Sequence, residues 1–551
     1  MIDVSGNGAG SIQIKGDSIS LNNGSLLLIQ NQGLQKAGDI DINAAESLEI
    51  NGISADGTIR SAIVNETLAG NSGNINVVTP RLIIQDGAGI GSRTFSSAQG
   101  GNVTFNVSEF IEISGFSEIN PELFSAIVSI TFGEGKAGNI SIKSRNLFMA
   151  DGSSVAATSF GQGDGGNIDI NAQNIEVKGS GFGLFGDTNI ASATFTTAAA
   201  GNININTKNM IMEGGATVNT TSFNNGDAGN ITINAAESIQ VIGQNVNRIS
   251  TRLESIVETI PILQSIFQLP DIPNGNAGNI TINTPFLLVT DGAYIGVQNS
   301  GTGDAGVLKV NADFLRLNNL GNLSATTNDG DGGNILLKSQ SLQMRGGSSI
   351  STSAGATGSG GNISIDTDTL VALENSDITA NAENNFGGRI NINAQGIFGT
   401  QFREEITNQS DITASSELGT SFSGTVELNT PGIDPSKAVN QLPANVVDQT
   451  NQIASGCGAN TGNSFVVTGR GGITQNPSDR VDKYVAWSDI RDLSVYRQQS
   501  DNVVRPGKIS KQRRIIEATG FQLDELGRIE LVAQVPENSH SLQQISNCGE
   551  V

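Results

Sequence analysis

A short phrase, Gly-Asn-Ile-x-Ile-Asn, recurs with little degeneracy along three quarters of this 551-residue chain, and no other feature restricts the fold as strongly. Its glycines are Gly10, Gly38, Gly73, Gly101, Gly138, Gly166, Gly201, Gly229, Gly278, Gly306, Gly333, Gly361, Gly388 and Gly424. They are separated by 28, 35, 28, 37, 28, 35, 28, 49, 28, 27, 28, 27 and 36 residues, so a unit of 28 accepts insertions, mostly of seven to nine residues. A unit that tolerates insertion means stacked coils with variable loops. No coil buries its apolar face alone, and many together do.

Within a unit the alternation that marks a strand occurs three times, as in Asn167 to Ile170, Ile175 to Val177 and Ile190 to Ala193. Alternating Ile, Val and Leu would point inward and stack on the same position of the next coil. The second strand commonly ends in Asp-Gly, at Asp86-Gly87, Asp151-Gly152 and Asp291-Gly292, a dipeptide suited to a tight corner with positive φ. The expectation is an all-β fold, a right-handed parallel β-helix of three-strand coils with about 14 repeats of 28 or more residues and a small C-terminal module.

Asparagine follows the repeat glycine at Asn74, Asn102, Asn139, Asn167, Asn202, Asn230, Asn279, Asn334 and Asn362. Stacked in register, these amides would form a hydrogen-bonded ladder along the shaft. Asp164, Asp227, Asp304 and Asp331 share another position, two before the glycine. Asp304 and Asp331 belong to successive coils, which makes them a candidate Ca²⁺ pair. Two carboxylates fall far short of the six to eight oxygens that ion takes, so solvated turn aspartates are the preferred reading, and no cofactor is expected.

Composition excludes several functions. A formal charge of −23 and a pI near 4.4 leave no footprint for nucleic acid or an anionic bilayer. No apolar run reaches the roughly 18 to 20 residues of a membrane span, the longest candidate being Ile260 to Leu269, interrupted by Pro261. His540 is the only histidine, which leaves the shaft without a His-dependent triad. Three glycine triplets match a dinucleotide fingerprint by spacing, at Gly181, Gly161 and Gly301, but strands follow them where that chemistry needs a helix.

The repeat ends near Thr430-Pro431-Gly432, giving a shaft over 1–430, a linker over 431–453 and a C-terminal module or cap over 454–551. That last segment holds Trp487, Tyr484, Tyr496 and a cluster of Lys and Arg. The only cysteines, Cys457 and Cys548, flank it, and they are candidates for a disulfide in an oxidising compartment. One insertion differs from the others. After Ile249 to Thr251, read as third-strand residues, Arg252 to Pro273 carries Leu253, Ile256, Val257 and Ile260 at helical spacing behind a capping box at Thr251 to Glu254. It is expected to form a short amphipathic helix that leaves the shaft laterally.

These residues resemble a known family, the filamentous-haemagglutinin-like two-partner-secretion exoproteins, particularly the large glycine- and asparagine-rich ones of cyanobacteria. Gly-Asp-Gly-Gly-Asn-Ile-Asp-Ile-Asn-Ala over 163–172 looks like that family's shaft. Ala454 to Cys457, Ser464 to Gly472, Glu517 to Phe521 and Gly527 to Ala533 are similar to its C-terminal signature. The resemblance implies export through an outer-membrane β-barrel partner and a secreted or cell-surface location. The family's N-terminal secretion domain and signal peptide have no counterpart here, since Met1 runs at once into Ile-Asp-Val-Ser-Gly.

The leading functional expectation is a non-catalytic, adhesive rod with an unidentified surface or glycan ligand. A β-helix polysaccharide lyase or hydrolase and a calcium-dependent surface-layer component are the alternatives, because fold does not fix function.

Overall fold

A computed structural model describes residues 1–431 apart from 180–186, 331 and 356–357, together with the backbone of 520–523 and 529–532. Residues Met1–Asp434 form one compact unit and Pro435–Val551 a second.

The first unit is a parallel β-helix built on two ladders. One stacks 14 long strands, one after each repeat glycine, and the other stacks 15 short ones. Successive coils pair in parallel, so that Ile140, Ile168, Ile203, Ile231 and Ile280 form one continuous inward column. All five are fully buried, and each contributes roughly 1.5–3 kcal/mol of hydrophobic stabilisation. The handedness rule for parallel crossovers makes such a coil right-handed.

The three apolar faces expected from the sequence are present, but the first two lie on a single bent strand. In Ile168–Lys178 the inward residues are Ile168, Ile170 and Ala172, then Ile175 and Val177. The phase slips across Gln173 and Asn174, both exposed, and pairing resumes on either side. A one-residue slip bends the chain without requiring turn chemistry: Gln173 and Asn174 serve here, and Pro80 and Pro285 stand at the same corner in other coils. Twelve-residue strands such as Ile40–Asn51 absorb their extra residue at the same place, as a register shift.

The second corner does use turn chemistry. Asp86, Asp151 and Asp291 have φ of 53°, 53° and 59°, and Gly87, Gly152 and Gly292 after them have φ of 88°, 79° and 79°.

The repeat glycines need their missing side chain for a different reason. A Cβ on Gly201 would land on the carbonyl oxygen of Gly166, and the same collision recurs from Gly38 to Gly424. Coils touch backbone to backbone along this row. A serine from the short strand satisfies it: Ser92, Ser192 and Ser255 accept the N–H of Gly101, Gly201 and Gly278 at 3.1, 2.8 and 2.8 Å.

Insertions leave the shaft at two places. Several follow the long strand as small hairpins, closed by Ile53 with Arg60, Phe116 with Phe124 and Gln244 with Ser250. The longest insertion departs from its sequence reading. Arg252–Val257 is a strand, paired to Thr217–Ser222 and Tyr294–Asn299, and the expected strand at 249–251 belongs to a hairpin. A helical start at Thr251 would leave this coil's rung of the ladder empty, so pairing overrides the helical spacing. Thr251 Oγ1 instead donates to Ile242 O at 2.7 Å and accepts the Gly215 N–H at 2.9 Å.

The helix is confined to Pro261–Phe267, and it lies on the shaft rather than leaving it. Leu263 and Leu269 pack with Phe195 and Phe223 in one buried cluster. They cover a stack of phenylalanines, one after each short strand: Phe95, Phe132, Phe160, Phe195 and Phe223, with centroid separations of 4.8, 5.4, 4.6 and 4.6 Å.

At the C-terminal end Thr400–Phe402 pairs onto Ser410–Thr413 and covers the short ladder's last edge. Asp411, fully buried there, accepts hydrogen bonds from Arg403 and from the Thr407 N–H. In the second unit Gly520–Leu523 pairs antiparallel with Ile529–Val532. Cys457, Cys548 and the expected linker beyond 431 lie outside the described residues.

Candidate functional site

Three features on the outside of the shaft combine side chains from successive coils. The first is the asparagine row. Each Asn Oδ1 accepts the backbone N–H of the next: Asn74 from Asn102 at 3.0 Å, Asn102 from Asn139 at 2.8 Å, Asn139 from Asn167 at 2.9 Å, and Asn167 from Asn202 at 2.8 Å. Asn202 accepts from Asn230 and Asn230 from Asn279, both at 2.8 Å. Val307 interrupts the row after Asn279, and Asn334 resumes it by accepting from Asn362 at 3.1 Å. The sequence suggested amide stacked on amide; the main contact is amide oxygen to backbone N–H.

Among the aspartates two before the glycine, Asp227 does the same work. Asp227 Oδ1 accepts the Asn276 N–H at 2.8 Å, and Asp164 pairs with Lys136 at 2.5 Å. Asp304 receives the Asn276 amide oxygen at its own N–H, 3.1 Å away. Asp331 lies outside the described residues. Among the described residues no three His, Cys, Asp or Glu gather closely enough to hold a metal.

The second feature was missed in the sequence, where its only signal is the asparagine that closes the repeat phrase. At the fourth position of the long strand, Asn206 Nδ2 donates to Asn171 Oδ1 at 3.2 Å, Asn234 to Asn206 at 3.0 Å, Asn283 to Asn234 at 2.8 Å and Asn311 to Asn283 at 2.7 Å. This is an amide-to-amide ladder, on exposed or part-buried residues. It forms one wall of a trough of about 940 Å³ that follows the strand bend across five coils, from Asn206 to Gln340.

The third feature is a titratable cluster on the outer face of the short ladder. Over 126–191 this face is mostly small, as in Ala126, Val128, Ser154, Ala156 and Ala191, and in earlier coils it carries the Arg93–Glu66 ion pair at 3.0 Å. The next coils in register place Thr217 and Asn219, Arg252 and Glu254, Tyr294 and Gly296, then Asn322 and Ser324. Arg252 reaches Glu254 at 3.3 Å and Asp187 at 3.9 Å.

Burial raises the pKa of all three carboxyls in the cluster. It raises Glu254, against the pull of Arg252 and with the push of Asp187. It raises Asp187, again opposed by Arg252. It pushes Glu258 up to about 7, aided by the Glu254 charge and opposed by Arg252. Burial and then Glu254 also raise the Tyr294 phenol. Thr217 Oγ1, Asn219 Oδ1, Arg252 Nε, Tyr294 Oη and Asn322 Oδ1 are buried without a hydrogen-bond partner. Carboxyls of raised pKa beside a guanidinium and a phenol have the makings of acid–base chemistry. Glu254 itself is closed off, only 4% exposed, while the Arg252 and Asp187 side chains are 33% and 30% exposed.

A second part-buried cation escaped the sequence reading. Arg60 donates to Gly87 O at 2.9 Å, Ala88 O at 3.0 Å and Phe124 O, tying one hairpin to the next, and burial lowers it to about 10.

No protein-family model, characterised protein or solved structure matches this chain.

Proposed function

We propose that the chain is the adhesive shaft of a secreted or surface-displayed protein, exported with an outer-membrane β-barrel partner as its resemblance to the two-partner-secretion exoproteins implies. The observation that carries this reading is the pair of asparagine rows, which repeat one neutral hydrogen-bonding group over runs of successive coils. Contacts that are individually weak gain strength through repetition on a rigid support. The experiment is to label intact producing cells, and their medium, with an antibody against the shaft, and to measure adhesion with and without the gene. Surface or medium labelling with reduced adhesion in the deletion is expected. Labelling confined to permeabilised cells overturns the proposal.

The cluster around Glu254 favours a second reading, a glycan-cleaving enzyme, because neighbouring carboxyls of raised pKa are what such chemistry uses. Its burial weighs against the idea, and the shaft is proposed to be non-catalytic. Cleavage of an acidic or neutral polysaccharide that disappears in Glu254→Gln would reverse that choice. A calcium-dependent surface-layer role would show as a melting temperature that falls on chelation.

A further inference from the structure

We propose that the trough along the long-strand bend binds a neutral, extended, β-linked polysaccharide lying parallel to the shaft axis. The inference deepens the adhesive reading and rests on it for the presence of such a ligand outside the cell.

Shape is the first argument. The trough crosses five coils, so at the usual strand spacing it is about 19 Å long. Its volume then corresponds to a mean cross-section of about 50 Å². One pyranose chain fits that section, whereas a helix with its side chains, about 10–12 Å across, does not.

Chemistry is the second. Each rung of the Asn206–Asn311 ladder spends one Nδ2 hydrogen on its neighbour and keeps the other, along with acceptor capacity on Oδ1. Sugar hydroxyls donate and accept alike and suit such a wall. The floor is small, with Ala235, Thr284 and Ala312 all buried, and the opposite side offers Ala236 and Pro285 to the C–H face of a pyranose. An extended β-linked chain advances by nearly one strand spacing per residue, so each sugar meets one coil.

Charge selects among polysaccharides. Among the described residues lining the trough only Asp313 and Lys338 are charged, and a chain of net charge −23 repels acidic polymers. A peptide strand is disfavoured because the backbone beneath is already paired in the ladder and offers no edge.

The test is calorimetric titration of the full chain with cellohexaose, xylohexaose and, as an α-linked control, maltohexaose. Binding of a β-linked oligosaccharide is expected. Asn283→Ala, which removes a rung, and Ala236→Leu, which fills the trough from an exposed position, should each weaken it by about tenfold. Asn393→Ala, the same chemistry at an equivalent position outside the trough, should change nothing, and unchanged circular dichroism in all three variants confirms folding. Equal loss from Asn393→Ala, a preference for maltohexaose, or competition by an extended peptide overturns the assignment. If the shaft adheres to surfaces and binds none of these sugars, the trough assignment fails and the adhesive reading stands. If the sugar binds but the protein stays inside cells, the adhesive reading fails and the site remains.

Discussion

The short ladder contains two neighbourhoods with the same backbone and opposite exteriors. From Ala126 to Ala191 its outward residues are mostly small, and from Thr217 to Ser324 they include a part-buried arginine–carboxylate–tyrosine cluster. Parallel pairing continues through both without a break in register. The difference teaches that glycine row, inward columns and ladder carry the fold, while outward positions are free to change. The cluster is an addition to a coil already complete without it.

That division predicts where a single atom matters most. Gly201→Ala places a methyl group on the Gly166 carbonyl in the regular part of the shaft, and backbone contact leaves it no escape. A loss above about 4 kcal/mol is expected, seen as failed expression or a collapsed urea midpoint. Gly10→Ala, in the first coil, meets nothing within 4 Å and should cost little. Similar losses at the two positions would break the account of the glycine row.

The phenylalanine stack crosses the boundary between the two neighbourhoods and should be unequal along its length. Phe195 is buried between Phe160, Phe223 and Phe267, so Phe195→Ala is expected to cost about 3–4 kcal/mol. Phe95, at the end of the stack and 43% exposed, should cost about 1 kcal/mol. Thermal melts of the two variants decide it.

Glu258 occupies the next place in that stack, and its N–H bonds Ser222 O as those of the phenylalanines bond theirs. Its folded pKa of about 7 stands above the ordinary 4.5, so the neutral form is the one the fold favours. The associated stability is therefore full below about pH 4.5 and is lost as pH rises through about 7, up to roughly 3 kcal/mol. Hydrogen exchange over 258–274 should quicken across that window. In Glu258→Gln the slope should shrink to what Glu254 and Asp187 contribute; if it is unchanged, another group carries the titration.

How much of this was legible in the sequence depended on the period of the signal. The glycine row and the inward columns recur every coil, so Gly166 and Ile168 announce their roles by repetition. Asp151-Gly152 was readable because the turn demands a specific dihedral pair. The bend at Gln173 and Asn174 was not, since a phase slip requires no special residue. Arg252–Val257 was misread because Leu253, Ile256 and Val257 suit a helix locally, and only the ladder on both sides makes them a strand. The polar cluster was invisible because Asp187, Arg252 and Tyr294 belong to three different coils and no spacing rule joins them.

The smallest effect concerns the asparagine row, which differs between its continuous part and its break at Val307. Asn202→Ala removes the acceptor of the Asn230 N–H and leaves the Asn202 backbone bonded to Asn167. One neutral hydrogen bond at a part-exposed site contributes about 1 kcal/mol. Val307→Asn should do the reverse, because the neighbouring coils already show the geometry: Asn334 accepts from Asn362 just as Asn230 accepts from Asn279. Its gain is expected near 0.5 kcal/mol, since asparagine suits a strand less well than valine. A solenoid can open coil by coil, so global melting would blur both changes, and amide exchange reads them locally. Exchange at Asn230 should accelerate in the first variant and exchange at Asn334 should slow in the second. If Asn334 exchanges no more slowly, the row is a set of independent turns rather than a connected ladder.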